Sequence, residues 1–312
     1  MEPIQMRVAA RRALTGDIVE FTLEPVAGGA LPRFTPGAHV TVKTPSGAMR
    51  RYSLIGDGES PETYRIAVKR EPASRGGSAS MHDEATEGTA LLVEAPENDF
   101  ELVEAPEYLL VAGGIGITPI YAMAEALDRR GKPFRLIYLT RSAGEAAYAD
   151  ELLRAFGDRL TLHHDEGREE NFYDFWETFE KPTKAHVYCC GPAALMEEVE
   201  AVSGHWPEDA IHFEDFKPVE VVRADDRAFE VDLARSGRTI TVPADRSILE
   251  ALRDAGIATV SSCESGTCGT CRTRLMDGDA DHRDMVLTEE DRERNIMICV
   301  SRAKAGRLVL DL

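Results

Sequence analysis

Four cysteines offer the most specific chemistry in this chain. Cys263, Cys268 and Cys271 lie in "SSCESGTCGTC" with the spacing C-x4-C-x2-C, and Cys299 follows alone in "MICVSRA". Three thiolates on one loop and a distant fourth is the plant-type spacing for a 2Fe–2S cluster. The small Ser, Gly and Thr residues let backbone N–H groups turn toward the sulfurs, which stabilises an anionic cluster and tunes its potential. Gly266 and Gly269 supply backbone angles that larger residues resist. Structural zinc also takes four thiolates, but usually from two close pairs, so the three-plus-one arrangement favours iron and sulfide. Cys189 and Cys190 in "HVYCCGPAALM" are adjacent and make a poor chelating pair. On a strand they face opposite ways, one into packing and one toward a pocket.

Two further constellations suggest phosphate and ring binding. "VAGGIGITPI" joins an apolar run to a helical pattern, and the N-terminus of such a helix offers free N–H groups to a phosphate. Gly113, Gly114 and Gly116 would let a pyrophosphate approach the backbone, and Pro119 suits the first helical turn. The turn departs from G-x-G-x-x-G because Pro119 stands where the third glycine would be, and a tight strand–helix turn is the plain alternative. "CCGP" ends a later apolar run, and two strand-end sites on one sheet edge fit a dinucleotide crevice. In "MRRYSLIGD", Arg50 and Arg51 offer cations, Tyr52 a flat face and Ser53 a small polar group. Lys69 and the turn from Arg75 to Ser80 could converge with them on a phosphate. An ordinary strand with outward basic residues explains the same pattern.

These groups require three kinds of scaffold. The first hundred residues alternate in short runs ("DIVEFTLEPV", "HVTVKTPSG", "TYRIAVKRE"), which predicts an antiparallel β-barrel over residues 1–104. From Glu107, apolar runs alternate with helical segments, which predicts an α/β domain with a parallel sheet over 105–222. The polar segment "DFKPVEVVRADD" reads as a linker. Beyond it, residues 226–312 read as a small α+β domain: a hairpin turning near Ser236–Gly237, then a helix with a Ser247/Glu250 capping box and Gly256 at its end. A chain of 312 residues accommodates several such domains.

Bulk properties narrow the function classes. The formal net charge of −19 argues against nucleic-acid binding, admits a basic protein partner, and also fits a merely well-solvated surface. No apolar run reaches the roughly 18 residues a membrane span needs, and "MEPIQMRVAARRALTG" has no signal-peptide core. A cytoplasmic location is expected. Six cysteines make no disulfide framework in a chain of this length.

Taken together and in this order, the motifs resemble the phthalate dioxygenase reductase family, iron–sulfur flavoproteins that serve Rieske-type oxygenases. "RRYSL", "AVKR", "RGGS", "VAGGIGITP", "YCCGPAALM", "SSCESGTCGTC" and "MICVSRAK" carry the resemblance across essentially the whole chain. It implies FMN rather than FAD, NADH as donor, and a β-grasp ferredoxin domain. By position, Arg50, Arg51, Tyr52 and Ser53 would hold FMN, with Ser53 near the isoalloxazine. Ala67, Val68, Lys69, Gly76, Gly77, Ser78 and Ala79 would complete the flavin and phosphate contacts, joined by Thr118. Phe213 and Asp215 match the segment that returns beside the flavin. At Arg51 the family often has a smaller residue, and at Asp215 close relatives carry a smaller polar one. Gly114, Gly116, Thr140, Arg141, Cys190 and Gly191 would line the nicotinamide-nucleotide site. "YLTRSAGE" offers Arg141 followed by an acidic residue and no basic cluster for a 2′-phosphate, which favours NADH.

The implied activity is electron transfer from NADH through FMN and the cluster to a terminal oxygenase protein, by a monomer. Cofactors carry the chemistry, so no side chain is assigned as a catalytic acid or base. "LHHD", His163 to Asp165, reads as a strand end, and His282 as a residue near the surface of the cluster domain and not a ligand. A reductase for a cytochrome P450 is the alternative acceptor assignment, and a ferredoxin-like carrier or redox sensor the alternative class.

Overall fold

The computed structural model describes residues 3–72, 76–216, 223, 225–261, 264, 266 and 269–312. The chain divides into two compact units, Met1–Phe216 and Lys217–Leu312. The barrel and the parallel sheet anticipated as separate domains therefore belong to one unit.

Six antiparallel strands open the first unit: β1 (Ile4–Ala13), β2 (Ile18–Pro25), β3 (His39–Lys43), β4 (Met49–Ser53), β5 (Tyr64–Lys69) and β6 (Ala90–Val93). They run in the order β4-β3-β6-β1-β2-β5. The chain just past β4 closes the barrel, where the Ile55 N–H donates to the Arg65 carbonyl on β5 at 3.0 Å. Alternating residues fill the interior, among them Val8, Phe21, Leu23, Val40, Val42 and Ile66. A short helix, α1 (Gly77–Asp83), sits between β5 and β6.

The parallel sheet comprises β7 (Glu107–Gly113), β8 (Phe134–Thr140), β9 (Leu160–His164), β10 (Ala185–Cys190) and β11 (Ile211–Glu214). Its order is β11-β10-β7-β8-β9, all neighbours parallel. Successive β7 residues serve opposite cores, as burial on both faces demands. Leu110 and Ala112 pack with Ile120, Met123 and Leu127 of α2 (Ile117–Arg129) and with Leu152 of α3 (Ala149–Phe156). Leu109 and Val111 pack with Phe179 of α4 (Trp176–Phe179) and Val199 of α5 (Ala193–Ser203). The same alternation sends Cys190 into the first core and Cys189 into the second. Ala67 of β5 and Ile18 of β2 join Ile117 in the first core, so barrel and sheet share apolar burial.

In the second unit, β12 (Phe229–Leu233), β13 (Arg238–Val242), β14 (Arg272–Asp281), β15 (Asn295–Met297) and β16 (Arg302–Leu310) form a mixed sheet in the order β13-β12-β16-β14-β15. Gly237, with φ +66°, turns the β12–β13 hairpin. The helix α6 (Ile248–Asp254) begins with both bonds of the Ser247/Glu250 capping box and is followed by Gly256 at φ +73°. Caps of this kind contribute about 1 kcal/mol. A short helix α7 (Glu289–Arg292) precedes β15.

Buried charge also holds this small unit together. Arg302 is 1% exposed. Its guanidinium donates to the carbonyls of Arg246, Arg227 and Pro243 and lies over the Phe229 ring. Arg283 donates two hydrogen bonds to Asp226, at 2.5 and 2.9 Å, and a third to Asp281 at 2.7 Å. Paired in this way, such charges offset their desolvation cost; removing one partner is strongly destabilising.

Candidate cofactor and electron-transfer sites

On β4 the two faces differ. Arg51 lies with its Nη2 3.0 Å from His39 Nδ1 and donates to Asp99 at 2.5 Å. Ser53 is buried, and its Oγ has no hydrogen-bond partner among the described residues; the same holds for the Tyr52 hydroxyl. Burial raises the Tyr52 phenol well above its ordinary range, so it stays protonated. An orphaned buried hydroxyl costs about 1–3 kcal/mol, so each is open to a polar group bound beside it. Arg50 reaches the glycine turn that starts α1. A Cβ on Gly77 would come 2.8 Å from Arg50 Nε, so the guanidinium lies directly across the start of α1. Gly76 precedes it at φ +88°. Ser78 is buried and its Oγ accepts from the Glu71 N–H at 3.0 Å, while Ala79 is half-buried in the first turn of α1. Ala67 and Val68 are buried on β5, and Lys69 is half-buried, its ammonium 3.9 Å from both Asp17 and Glu71. The strand, the α1 turn and β5 thus come together; Arg75 lies outside the described residues.

The strand ends of the parallel sheet form a second locus. A Cβ on Gly116 would stand 2.2 Å from the Cys190 carbonyl oxygen and 2.8 Å from the Gly191 nitrogen. Gly113 and Gly191 approach as closely, a Cβ on Gly191 falling 3.0 Å from Gly113 Cα. The two glycine motifs, far apart in sequence, are therefore in backbone contact at one edge. Gly114 has φ +54° and open space around it. Thr118 is buried and donates to the Ile115 carbonyl, capping the turn that starts α2. Thr140 Oγ1 lies 2.7 Å from His164 Nδ1, and Arg141 is exposed at the same edge. The Glu166 N–H donates to the Arg141 carbonyl, which keeps acidic residues beside that arginine.

One residue passed over in the sequence stands out in the structure. Glu214 ends β11 directly opposite Cys190. Burial pushes its carboxyl up to about 8; Arg51 opposes the rise and Asp99 adds to it. Its Oε2 has no hydrogen-bond partner among the described residues. The signal available in "HFEDF" is a carboxylate inside a short parallel strand, where charge is costly. Of its neighbours, Phe213 is 37% exposed and Asp215 is exposed as well. Burial raises the Cys190 thiol well above its usual range, with Glu214 contributing, so this cysteine is no thiolate nucleophile.

In the second unit, Cys271 and Cys299 are both buried in one core, at 3% and 2% exposure. Gly266 and Gly269 have φ +78° and +80°. A Cβ on Gly266 would meet Val300 Cγ2 at 2.9 Å, so the chain at Cys299 lies against the cysteine loop. Arg253 of α6 braces that loop through Glu264 at 2.6 Å and Ser261 at 2.5 Å. These features suit a buried thiolate-bound cluster; Cys263 and Cys268 lie outside the described residues. Residue His282 is 15% exposed in its side chain, 3.8 Å from Asp284.

Residues 231–304 match the 2Fe-2S iron-sulfur cluster binding domain, which fixes the second unit and with it the class of protein. This is an NADH-dependent iron–sulfur flavoprotein oxidoreductase, an electron-transfer protein assembled from a barrel, a nucleotide-binding sheet and a ferredoxin-like unit. The chain is 50% identical over 311 residues to the phthalate 4,5-dioxygenase oxygenase reductase subunit of Pseudomonas putida, covering 98% of this chain and 96% of that one. A solved phthalate dioxygenase reductase, described as a modular structure for electron transfer from pyridine nucleotides to [2Fe-2S], superposes with TM-score 0.88 at 46% identity, covering 99% and 98% of the two chains. The chain belongs to the phthalate dioxygenase reductase family, and its cofactors are FMN, NADH and a 2Fe–2S cluster. An intact type IV self-sufficient cytochrome P450 monooxygenase also contains a similar segment, with TM-score 0.74 and 36% identity over 99% of this chain and 41% of that one.

Proposed function

We propose that this chain accepts hydride from NADH at the strand-end edge of its parallel sheet and delivers single electrons from its ferredoxin-like unit to a Rieske-type terminal oxygenase. Bound FMN supplies the conversion between a two-electron hydride donor and a one-electron cluster. The residues do the positioning. Tyr52 and Ser53 give their orphaned hydroxyls to the flavin, with Ser53 nearest the ring. Arg50 and the α1 start, Gly76 to Ala79, take the phosphate side, with Ala67, Val68 and Lys69 along β5 and Thr118 from α2. Gly114, Gly116, Cys190 and Gly191 let the dinucleotide approach backbone, and Thr140 and Arg141 border its outer end. Phe213 and Asp215 flank the flavin edge. Glu214 keeps a proton on its carboxyl at neutral pH, so no uncompensated carboxylate repels the incoming donor. Cys263, Cys268, Cys271 and Cys299 hold the cluster.

The observation that carries this reading is the shared core in which Ala67 of β5 joins Ile117 of α2 and Cys190 of β10. Arg51 of the barrel strand acts electrostatically on Glu214 at the end of the nucleotide sheet. Flavin-strand and nucleotide-sheet residues thus border one locus, as hydride transfer requires. We take it to act as a cytoplasmic monomer. No helix among the described residues is long and apolar enough to cross a membrane. The test is reconstitution: NADH and the purified chain should reduce a Rieske-type oxygenase component. Reduction of a P450 haem protein in its place would overturn the acceptor assignment.

A further inference from the structure

Large apolar side chains are exposed beside the cysteine loop of the second unit. Met285 is 72% exposed and Val286 38%. Both lie against the loop itself. The Met285 N–H donates to the Gly266 carbonyl at 3.1 Å, and Val286 Cγ1 stands 3.5 Å from where a Cβ on Gly269 would be. A buried carboxylate maintains the tip. Asp284 is 5% exposed, and its Oδ2 accepts from the N–H groups of Val286 at 3.2 Å and Leu287 at 2.8 Å. Arg292 donates to the Asp284 carbonyl at 2.9 Å. A protein that buries a charge to display a methionine next to its redox centre is holding a surface in a set shape. Exposed apolar groups so held mark interaction sites more often than scattered ones.

The rim is mainly acidic, with the exposed Arg294 just behind its carboxylates. Glu289, Glu290 and Glu293 are exposed on and just after α7, immediately beyond the apolar tip. These three exposed carboxylates outnumber that arginine, so the rim is net negative. It is matched to a basic partner, for which opposite charge speeds encounter and sets orientation.

We propose that Met285 and Val286, with the carboxylates of Glu289, Glu290 and Glu293, form the seat of the electron acceptor: an oxygenase component presenting an apolar spot ringed by lysine and arginine. The inference rests on the oxygenase reading above. Electrons leave beside Gly266 and Gly269, where partner and cluster loop are in closest reach. The apolar pair supplies affinity and the acidic rim supplies approach.

The test uses the full-length holoprotein and, as probe, the purified oxygenase component of the Pseudomonas putida phthalate 4,5-dioxygenase, titrated calorimetrically in the oxidised state without turnover. Truncating a central apolar anchor typically weakens such complexes about tenfold, and the double substitution Met285→Ala/Val286→Ala should do so, while Met285→Leu retains affinity. Glu289→Gln/Glu290→Gln should weaken binding severalfold at low salt and flatten its salt dependence. In every variant the visible cluster spectrum and NADH-driven cluster reduction should be unchanged. Binding by the unaltered protein that ignores both sets of substitutions overturns the patch alone. Slowed cluster reduction in Met285→Ala also overturns it, by assigning the tip to a contact within the chain. No binding by the unaltered protein sinks the oxygenase reading, and the patch's assignment with it.

Discussion

Gly116 separates steric necessity from backbone freedom. Its own φ is −60°, so any residue could adopt its conformation. What forbids a side chain is the opposite strand end: an alanine Cβ would sit 2.2 Å from the Cys190 oxygen, 2.5 Å from its carbonyl carbon and 2.8 Å from the Gly191 nitrogen. These are backbone atoms and no rotamer relieves them. The strand end must retreat by about 1 Å to restore contact, and overpacking of this kind costs about 1–3 kcal/mol. The retreat displaces Cys190 and Gly191, which border the proposed nucleotide site. If about 1.4 kcal/mol of that cost falls on NADH binding, affinity drops tenfold. Gly114→Ala is the control. It meets nothing within 4 Å but has φ +54°, so it should cost about 1 kcal/mol of backbone strain and little else. Thermal melting gives the stability term, and the NADH dependence of flavin reduction in an anaerobic stopped-flow gives the affinity. Gly116→Ala with affinity within twofold of the unaltered protein, or Gly114→Ala equally impaired, would refute the reasoning.

Three further outcomes are expected. Hydrogen bonds from Arg283 hold the Asp226 carboxyl down at about 2; a depressed carboxyl stabilises the fold fully above its unfolded pKa and loses that contribution as pH falls through its folded one. Asp226→Asn should therefore destabilise the second unit by about 2 kcal/mol at pH 7 and by almost nothing near pH 2, read from chemical unfolding curves at each pH. Glu214 has the opposite sign: with its carboxyl raised to about 8, the folded state binds the extra proton and stability falls as pH rises from about 4.5 to 8. Glu214→Gln should match the unaltered protein at pH 5 and melt higher at pH 8; identical pH profiles would count against a buried protonated carboxyl. Arg253→Ala frees Ser261 and Glu264, and should hasten loss of cluster absorbance on mild heating while leaving the flavin band in place.

Legibility followed the range of the interactions concerned. Local features were readable because nearby residues determine them: the Ser247/Glu250 box, the hairpin at Gly237 and the glycine turn before α2 all took the expected form. The backbone contact of Gly116 with Cys190 follows from sheet order, in which β10 lies beside β7 although α2, β8, α3, β9 and α4 separate them in sequence. Glu214 was missed for a similar reason. Nothing near it in sequence buries it, and the groups that act on it, Arg51 and Asp99, come from the barrel and the segment after β6. Arg302 reads as a surface arginine in "CVSRAK", yet it is enclosed by the carbonyls of three residues distant in the chain. The apolar tip at Met285 is likewise an exception to the alternation that makes strands legible, since it follows β14 in a turn built around Asp284.

The central claim is an ordered relay in which the cysteine loop acts only after hydride transfer. The most direct measurement is anaerobic stopped-flow spectroscopy of the holoprotein mixed with NADH, repeated with Cys299→Ser. In the unaltered protein, bleaching of the flavin band should precede bleaching of the cluster band. In the variant, the first phase should keep its rate and the second phase and delivery to an oxygenase should vanish. Simultaneous loss of both phases in a folded, flavin-loaded variant would contradict the account.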